Sequence, residues 1–218
     1  MPIATRHRAD PLPALPPLPL LTVAQETSAA RMAQLQGRSI DDMTERFNDG
    51  HRAYVAALRG EPAAWGWVAT RVARIGELDA TFALASGDRY LWNFVTLASH
   101  RGLGIYPRLL RLIVHAESVE AERFWIAYAP ENHASGAGIF KAGFTTLADM
   151  SFDARGRPAL RDIVTGGATL ASQVLGLRAT AETLTPCWRC VRAGRPGMTC
   201  AEGRCQCDYQ RPTSGCST

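Results

Sequence analysis

The chain has 218 residues, of which 46% are hydrophobic and 20% charged, and its formal net charge at pH 7 is +4. These values are typical of one soluble globular domain with short appendages. Lys141 is the only lysine, and the arginines are spread along the chain, whereas nucleic-acid-binding proteins concentrate basic residues on one face. Because the sequence contains no run of about 18 apolar residues and no signal peptide, we expect a cytoplasmic protein without nucleic-acid or membrane partners.

The cysteines divide the chain into two parts. All six lie within the last 32 residues, and the preceding 186 residues contain none. The predicted organisation is a proline-rich, extended leader over residues 1–17, a folded body over residues 18–164, and a C-terminal helix with a cysteine-rich tail over residues 165–218.

The body begins with a short strand, predicted over residues 18–23, and two short helices. Thr27 and Ser28 are candidate caps of the first helix, which Gly37 ends, and Ser39 caps the second. From residue 51 the pattern changes to the alternation of strands, with aromatic and β-branched residues. Four strands are predicted, over residues 52–58, 64–72, 77–84 and 90–97, with a hairpin turn between the first two.

A glycine turn follows the fourth strand directly and leads straight into a helix. The turn contains Arg101, Gly102 and Gly104, and apolar residues then recur at helical spacing from Pro107 to about Glu120. The start of such a helix collects unpaired backbone N–H groups at the positive end of the helix dipole, which suits a phosphate or pyrophosphate. Arg101 would supply a matching positive charge.

The second half of the body contains a strand over residues 124–128. Because its link to the fourth strand is a crossover, we expect the two strands to be parallel. The remaining predicted elements are a helix over residues 132–141, strands over 144–152 and 159–164, and a helix over 165–177.

This order of elements resembles the GNAT superfamily of acyl-CoA-dependent N-acetyltransferases over roughly residues 18–153. The motifs that carry the resemblance are RGLG at residues 101–104 and NHASGAGIFKAGF at residues 132–144. The resemblance implies an α/β (α+β) fold, in which a mixed, mostly antiparallel sheet with a central parallel strand pair is flanked by helices. The cysteine-rich tail would be an addition to that fold.

The resemblance implies a site for acetyl-CoA. The glycine turn would hold the pyrophosphate of coenzyme A, and the strand before it would pair its backbone with the pantetheine amides, as an added strand does. Asn132 would contact the cofactor, although a helix cap explains this residue equally well. The predicted cofactor-binding residues are Val95, Thr96, Leu97, Arg101, Gly102, Leu103, Gly104, Ile105, Tyr106 and Asn132.

Two residues depart from the pattern of the superfamily. Tyr106 stands where a second small residue is usual, so its side chain must point away from the phosphates or cover them. Ile139 stands where many members carry a tyrosine that protonates the departing thiolate. Since a thiol with a pKa of about 8.5 is a tolerable leaving group near neutral pH, water or another side chain could replace that tyrosine.

The implied reaction is the attack of a neutral amine on a thioester, which needs a base and N–H donors for the oxyanion. The candidate bases are Glu77, Asp79, Asp88 and Tyr90. Glu77 is the first choice, and solvated turn carboxylates are the alternative reading. Asn93 would orient the substrate or a water molecule. The tryptophans are interpreted mainly as core, with an aromatic wall for the acceptor as the alternative; they are Trp65, Trp67, Trp92 and Trp125.

The tail has its own pattern of cysteines. Cys187 and Cys190 form a CxxC knuckle, and Cys200, Cys205 and Cys207 follow. A knuckle with a later cysteine pair is typical of a four-thiolate zinc site. We predict structural zinc bound by Cys187, Cys190, Cys205 and Cys207, with Cys200 as an alternative ligand. Disulfides, an iron–sulfur centre and a reactive tail are the other interpretations.

Two functions are compatible with these features. The first is an acetyl-CoA-dependent N-acetyltransferase that acts on a small-molecule amine by direct attack, as the resemblance implies. The second is a non-catalytic acyl-CoA-binding module whose metal-binding tail senses metal or docks a partner, a reading that Ile139 favours. Either protein could be a homo-oligomer.

Overall fold

The computed structural model describes residues 1–184, together with the backbone of residues 200–201 and 204–205. The helices are α1 (Ala29–Gln36), α2 (Ile40–Asn48), α3 (Ile105–Glu117), α4 (His133–Lys141) and α5 (Gly167–Leu175). The strands are β1 (Pro2–His7), β2 (Leu21–Glu26), β3 (Arg52–Leu58), β4 (Glu61–Ala69), β5 (Val72–Ile75), β6 (Ala80–Ala83), β7 (Asp88–Thr96), β8 (Arg123–Ala127), β9 (Thr145–Phe152), β10 (Pro158–Asp162), β11 (Arg178–Ala179), β12 (Cys200–Ala201) and β13 (Arg204–Cys205).

One large sheet organises the body, with the strand order β11-β10-β9-β1-β8-β7-β4-β3-β2. Its neighbouring strands are antiparallel except for the pairs β7/β8 and β10/β11. Helices cover both faces. The predicted fold class is therefore confirmed, and so is the parallel pairing of the strands on either side of the α3 crossover.

The prediction of an extended leader is wrong for its first residues. β1 lies inside the sheet, antiparallel to β8 on one side and to β9 on the other. Ile3 and Ala4 are fully buried, and Pro2 stands at the first position of the strand, where its missing N–H is tolerated. The partners of this strand lie more than a hundred residues away in sequence. The few apolar residues of this segment therefore did not predict its burial.

The third predicted strand is also partly wrong. β5 and β6 form a separate hairpin outside the large sheet, and Glu77 lies in the short 3-10 helix Gly76–Leu78 that joins them. Asp79 follows with a φ of +49°, in the left-handed region. The strand therefore begins at Ala80 and not at Glu77, because residues 76–79 form the chain reversal between β5 and β6.

Helices α1 and α2 are confirmed in position by their caps. The Ser28 side chain accepts a hydrogen bond from the Arg31 N–H at 3.2 Å, and Gly37 ends α1 with a φ of +62°. The Ser39 hydroxyl accepts from the Asp42 N–H at 3.1 Å at the start of α2. None of the helices among the described residues is long and apolar enough to cross a bilayer.

The sheet has a hydrophobic core on each of its faces, because successive side chains of a strand point to opposite faces. On β3, Tyr54 packs in the core formed with α3 and α4, whereas its neighbours Ala53 and Val55 pack beneath α1 and α2. A third cluster lies under α5 and includes Ile3 and Trp125. The sheet is thus the middle layer, and α3 and α4 form the layer that carries the glycine turn.

Candidate functional site

The central feature of the site is a bulge in β7. β7 pairs with β8 only from Asp88 to Leu91 and then continues to Thr96. On its other edge the register with β4 shifts by one residue, and Asn93 has a φ of +51°. Such a bulge bends a strand and ends its pairing. Beyond Leu91, the β7 edge that faced β8 has no strand partner among the described residues, so backbone groups on this edge can pair with an extended ligand.

The glycine turn lies at the far end of this free edge. Gly102 and Gly104 have φ values of +80° and +68°, which glycine adopts without steric cost. Gly104 is the cap of α3, so the N–H groups of the first helical turn lack intrahelical partners. Arg101 is exposed, and its Nε donates to the Thr96 carbonyl at 3.2 Å. The structure therefore brings the predicted cofactor-binding residues of β7 and of the turn together: Val95, Thr96, Leu97, Arg101, Gly102, Leu103, Gly104 and Ile105.

Tyr106 points away from the turn and towards α4. Its ring packs beside Phe94, with the ring centroids 5.5 Å apart, and against Gly138, where a Cβ would overlap the ring. Its hydroxyl lies 3.4 Å from the Ser135 Oγ. Burial raises the pKa of Tyr106 to about 12, so the hydroxyl stays protonated at neutral pH. Of the two orientations that the sequence left open, the structure shows the one directed away from the turn.

Helix α4 begins at a capped asparagine. The Asn132 side-chain oxygen accepts a hydrogen bond from the Ser135 N–H at 3.0 Å, which confirms its role as a helix cap; its contact with a cofactor remains a prediction. Ile139 is only 2% exposed and belongs to the core between α3 and α4. This residue therefore supports packing and offers no proton.

A large cleft opens where β7 and β8 separate. Its volume is about 1460 Å³, and Trp92, Asn93, Ala127 and Tyr128 line it at the ends of the two strands. The other walls are α2, β5 and the 3-10 helix. The charged and titratable side chains that line it, tyrosines aside, are Arg38, Asp42, Glu45, Arg46, Asp49, His51, Arg71, Arg74 and Glu77. The free edge of β7 thus leads from the glycine turn to this cleft.

Both residues predicted to act in catalysis lie at the cleft. Glu77 is half-buried there, and no ion pair to it is found among the described residues. Asn93 is exposed, and its Nδ2 donates to the Gln36 Oε1 at 3.3 Å. The structure brings these two residues to the same cavity, and their catalytic roles remain predictions.

The other candidate bases have partners or surroundings that disfavour that role. Asp79 pairs with Arg74 at 2.7 Å on the exposed surface, and the Asp88 carboxylate accepts from the Trp125 Nε1 at 2.8 Å. Burial, helped by the charge of Glu77, raises the pKa of Tyr90. The Tyr90 phenol is therefore neutral at physiological pH and cannot accept a proton.

His51 lies at the cleft and was not predicted from the sequence, where a lone histidine before a strand carries no signal. Its Nδ1 accepts a hydrogen bond from the Trp92 Nε1 at 3.1 Å. Burial lowers the pKa of His51 below the ordinary value of a histidine, so the ring is neutral at pH 7 and carries its proton on Nε2. With its lone pair engaged by Trp92, His51 offers a donor to the cleft rather than a base.

Aromatic rings and an arginine lie between the cleft and the core. The Arg46 guanidinium lies 5.1 Å from the Trp67 ring centroid and 4.8 Å from that of Trp92, a cation–π arrangement. Trp65, Trp67 and Trp125 are buried as core residues, whereas Trp92 is half-buried and lines the cleft. The interpretation as core therefore holds for three of the four tryptophans, and Trp92 contributes aromatic surface to the cleft.

Tyr128 is the second cleft residue that the sequence reading missed. Its ring lies against Gly136 of α4, where a Cβ would be 2.9 Å from Cε2, and its hydroxyl is 3.4 Å from the Thr146 Oγ1. Its position at the end of a predicted strand was the available signal. Tyr128 lines the cleft near the point where β7 and β8 separate.

The predicted zinc ligands cannot be placed on the structure. Cys187, Cys190 and Cys207 lie outside the described residues, and Cys200 and Cys205 are described in their backbone alone, as register partners in the β12–β13 hairpin. Among the residues whose side chains are described, no group of three histidine, cysteine or acidic side chains is placed to hold a metal ion.

No family model and no curated protein matches the sequence. Among solved structures, the chain is similar to a GCN5-related N-acetyltransferase from Kribbella flavida, with 17% identity, a TM-score of 0.45, and coverage of 66% of this chain and 53% of that one. A putative GNAT-family acetyltransferase from Novosphingobium aromaticivorans is 18% identical, with a TM-score of 0.45 and coverage of 66% and 59%.

The aminoglycoside acetyltransferase AAC(6')-Ib, in complex with coenzyme A and kanamycin, is 18% identical, with a TM-score of 0.46 and coverage of 63% of this chain and 90% of that one. The chain thus spans about half the length of the Kribbella protein. All three similarities are distant.

Proposed function

We propose that this protein is an acetyl-CoA-dependent N-acetyltransferase that transfers an acetyl group to the amine of a small molecule by direct attack. The observation that carries the proposal is the free edge of β7. One end of this edge meets a glycine turn suited to a pyrophosphate, and the other end meets a cleft large enough for an acceptor. A linear cofactor with amides in its middle and phosphates at one end matches that arrangement.

The cofactor would lie along β7 as an additional strand. Its pantetheine amides would pair with those backbone groups of residues 93–97 that point away from β4, because this edge has no strand partner beyond Leu91 among the described residues. Its pyrophosphate would accept hydrogen bonds from the N–H groups of residues 102–106 at the positive end of α3. Arg101 would add a charge-assisted contact. The thioester would then lie near Asn93, at the mouth of the cleft.

The cleft carries both signs of charge, since four arginines line it as well, and its carboxylates suit the ammonium group of an incoming amine. Four carboxylates line it, and none has an ion-pair partner among the described residues: Asp42, Glu45, Asp49 and Glu77. Because a protonated amine has no lone pair, a base must take its proton before the attack. Glu77 would serve as that base, directly or through water, and Asn93 would orient the acceptor.

The reaction then forms a C–N bond and breaks the C–S bond of the thioester. The oxyanion of the tetrahedral intermediate would be stabilised by N–H donors of the free β7 edge. The departing thiolate would take a proton from water or from the Tyr128 hydroxyl, since Ile139 is buried and has none to give.

The release of thiol from acetyl-CoA, measured across a panel of small amines, tests the proposal. We expect release that depends on the amine and a product heavier by one acetyl group. In the Glu77→Gln variant the rate should fall about a hundredfold or more, while Asp79→Asn, which changes an exposed carboxylate beside it, should leave the rate within about twofold. Tight binding of coenzyme A without release of thiol for any amine would refute the proposed activity.

That negative outcome would favour a non-catalytic acyl-CoA-binding module. The observation in its favour is the buried Ile139, which leaves α4 without a proton donor at this position. For the tail, the proposal of structural zinc bound by four cysteines predicts about one zinc per chain by elemental analysis. Metal-free protein with an unchanged folded state would contradict it.

A further inference from the structure

Burial separates the charged side chains of the cleft into two groups. Of the nine charged or titratable side chains that line it, tyrosines aside, six are exposed and three are half-buried: Arg46, His51 and Glu77. Water and salt screen exposed charges, whereas partly buried charges act more strongly on a ligand. Burial lowers the pKa of His51, so its ring is neutral at pH 7. The charges that a ligand in the cleft would meet most strongly are therefore one positive group, Arg46, and one negative group, Glu77.

The Arg46 guanidinium has free donors and no contacting counter-charge. Its side chain makes one hydrogen bond within the described part of the chain, from Nη1 to the Gln36 Oε1 at 3.4 Å, and no ion pair there. None of its nitrogens is both buried and unpaired, so its other N–H groups are open to the cleft. Burial and the charge of Arg38 lower the pKa of Arg46, and Asp42 acts in the opposite direction without forming an ion pair.

Two indole rings hold this guanidinium in place. It lies 5.1 Å from the Trp67 ring centroid and 4.8 Å from that of Trp92. Trp67 is fully buried, and Trp92 is fixed by the hydrogen bond from its Nε1 to the His51 Nδ1 at 3.1 Å. An arginine that aromatic rings position can still present its planar fork of donors to a carboxylate or a phosphate. Arg46 is thus preorganised to bind an anionic oxygen group.

Gln36 connects this guanidinium to the bulge of β7. The Gln36 Oε1 accepts from the Arg46 Nη1 at 3.4 Å and from the Asn93 Nδ2 at 3.3 Å. Arg46 is therefore a close neighbour of Asn93, beside which the thioester is proposed to lie. An anionic group at Arg46 and an amine at the thioester would be close enough to belong to one small molecule.

The two half-buried charges come from different walls of the cleft. Arg46 lies on α2, and Glu77 lies in the 3-10 helix Gly76–Leu78. A ligand between these walls would meet a positive group on one side and a negative group on the other. This arrangement suits a molecule that itself carries both signs of charge.

We propose that the cleft selects an acceptor that carries an anionic oxygen group as well as its amine, with Arg46 as the ligand of the anionic group and Glu77 facing the ammonium group. This inference rests on the proposed function and names the class of its acceptor. Two kinds of molecule share the chemistry: amino acids, whose anionic group is a carboxylate, and aminoalkyl phosphates. An amine with further positive groups would place one of them against Arg46 and is disfavoured.

Paired acceptors that differ in the anionic group test the proposal. Amino acids are compared with their own carboxamides, and 2-aminoethyl phosphate with ethanolamine, by kcat/KM from the release of thiol from acetyl-CoA. We expect a preference of about ten- to a hundredfold for the anionic member of at least one pair, the range expected for charge-assisted hydrogen bonds; the pair that shows it identifies the kind of acceptor. A carboxamide makes the neighbouring amine less basic, so more of it is neutral and reactive near pH 7. The intrinsic reactivity of the carboxamides therefore opposes the expected preference.

Substitutions at Arg46 should change the ratio of the two rates. Arg46→Gln should reduce the preference to within about twofold, mainly by lowering kcat/KM for the anionic member. Arg46→Lys keeps the charge but not the planar fork, so it should retain part of the preference. A merely structural role of Arg46 would lower both rates together, and an unchanged ratio in folded Arg46→Gln would overturn the proposal. Circular dichroism and thermal melting verify that each variant is folded.

Arg31→Gln is the matched control. Arg31 is an exposed arginine on the neighbouring helix α1, pairs with Glu26 at 3.2 Å and does not line the cleft. This variant removes the same charge and should preserve the full preference. A loss of preference equal to that of Arg46→Gln would overturn the assignment to Arg46, because the total charge of the protein would then be responsible.

Two outcomes separate the class of acceptor from the activity itself. Transfer to amines without a preference for either anionic member would overturn the proposed class and leave the acetyltransferase standing. If no amine is acetylated, the proposed function fails, and the binding of the same paired compounds is measured by calorimetry on the full chain. Tighter binding of an anionic member that Arg46→Gln abolishes would support the site as a binding site without turnover. Equal binding, or none, would overturn it.

Discussion

The charged side chains at the two ends of helix α3 have different kinds of partner. At the C-terminal end, the fully buried Glu117 accepts from Arg52 Nη1 at 2.9 Å, Arg89 Nε at 2.9 Å and the Tyr54 hydroxyl at 2.6 Å. At the N-terminal end, Arg108 and Arg111 donate to carbonyls and have no carboxylate partner among the described residues. Ion pairs hold the C-terminal end of the helix to the sheet. At the N-terminal end the arginines lack a counter-charge among the described residues, so this end favours the binding of an anion.

The largest expected effect is on stability, at the C-terminal end of α3. Glu117→Gln removes the buried carboxylate that Arg89 and Arg52 share and leaves them only the exposed Glu120 as an ion-pair partner, so we expect a loss of about 3 kcal/mol in the free energy of unfolding. Chemical denaturation measures this loss. Glu122→Gln removes an exposed pair with Arg8 and should change stability by less than about 1 kcal/mol. Equal losses in the two variants would contradict the difference between the two ends.

The next effect is on cofactor binding, at the N-terminal end of α3. Gly104→Ala places a Cβ against the Arg108 guanidinium at a residue with a φ of +68°, so the turn must shift. We expect coenzyme A to bind about tenfold more weakly. Gly60→Ala imposes a similar backbone strain at a φ of +87° in the β3–β4 hairpin, with open space around it. An equal loss of coenzyme A affinity in this control would show that strain, and not the turn, is responsible.

A smaller effect is expected for the exposed Arg101. Arg101→Gln should weaken coenzyme A binding about fivefold at low ionic strength, and by less at high salt, because an exposed charge is screened. Titrations at two salt concentrations measure this difference. Arg161→Gln changes an exposed arginine on β10, far from the turn in sequence, and should have no effect at either concentration. A loss in Arg101→Gln that is independent of salt would contradict an electrostatic contact.

The smallest expected effect is on stability at acidic pH. Hydrogen bonding to Arg52, together with its charge, lowers the pKa of Glu120 below its ordinary value. A carboxylate whose pKa is lower in the folded state stabilises the protein above its unfolded pKa, and this contribution is lost as the pH falls through the folded value. Thermal melts from pH 6 to pH 3 should therefore show a slightly smaller fall for Glu120→Gln than for the wild-type protein. Identical pH profiles would contradict the contribution of this ion pair.

Local signals predicted the parts of the fold that depend on neighbouring residues. Ser28, Gly37 and Ser39 marked the helix ends because caps are local hydrogen bonds. The crossover predicted that β7 and β8 are parallel, since parallel strands need such a connection. The glycine turn was predicted because Gly102 and Gly104 directly precede a helical pattern in the sequence. In the structure both glycines adopt left-handed φ values.

The features that were missed depend on distant contacts. β1 is buried by strands from the other half of the chain, and no pattern within residues 2–7 shows this. Glu77 was expected on a strand, but tertiary packing places β5 and β6 in a separate hairpin. His51 and Tyr128 reach the cleft only through the fold. The proline-rich segment of residues 11–19 was expected to be extended, but its contacts with Arg108 and Arg111 were not foreseen.

Hydrogen exchange with bound coenzyme A tests directly whether the free edge of β7 and the N-terminal end of α3 form one cofactor site. We expect slower amide exchange at residues 93–97 and 102–106 when coenzyme A binds, with no change around Glu117 at the opposite end of the helix. Binding without protection of these two segments, or with protection confined to the Glu117 end, would contradict it.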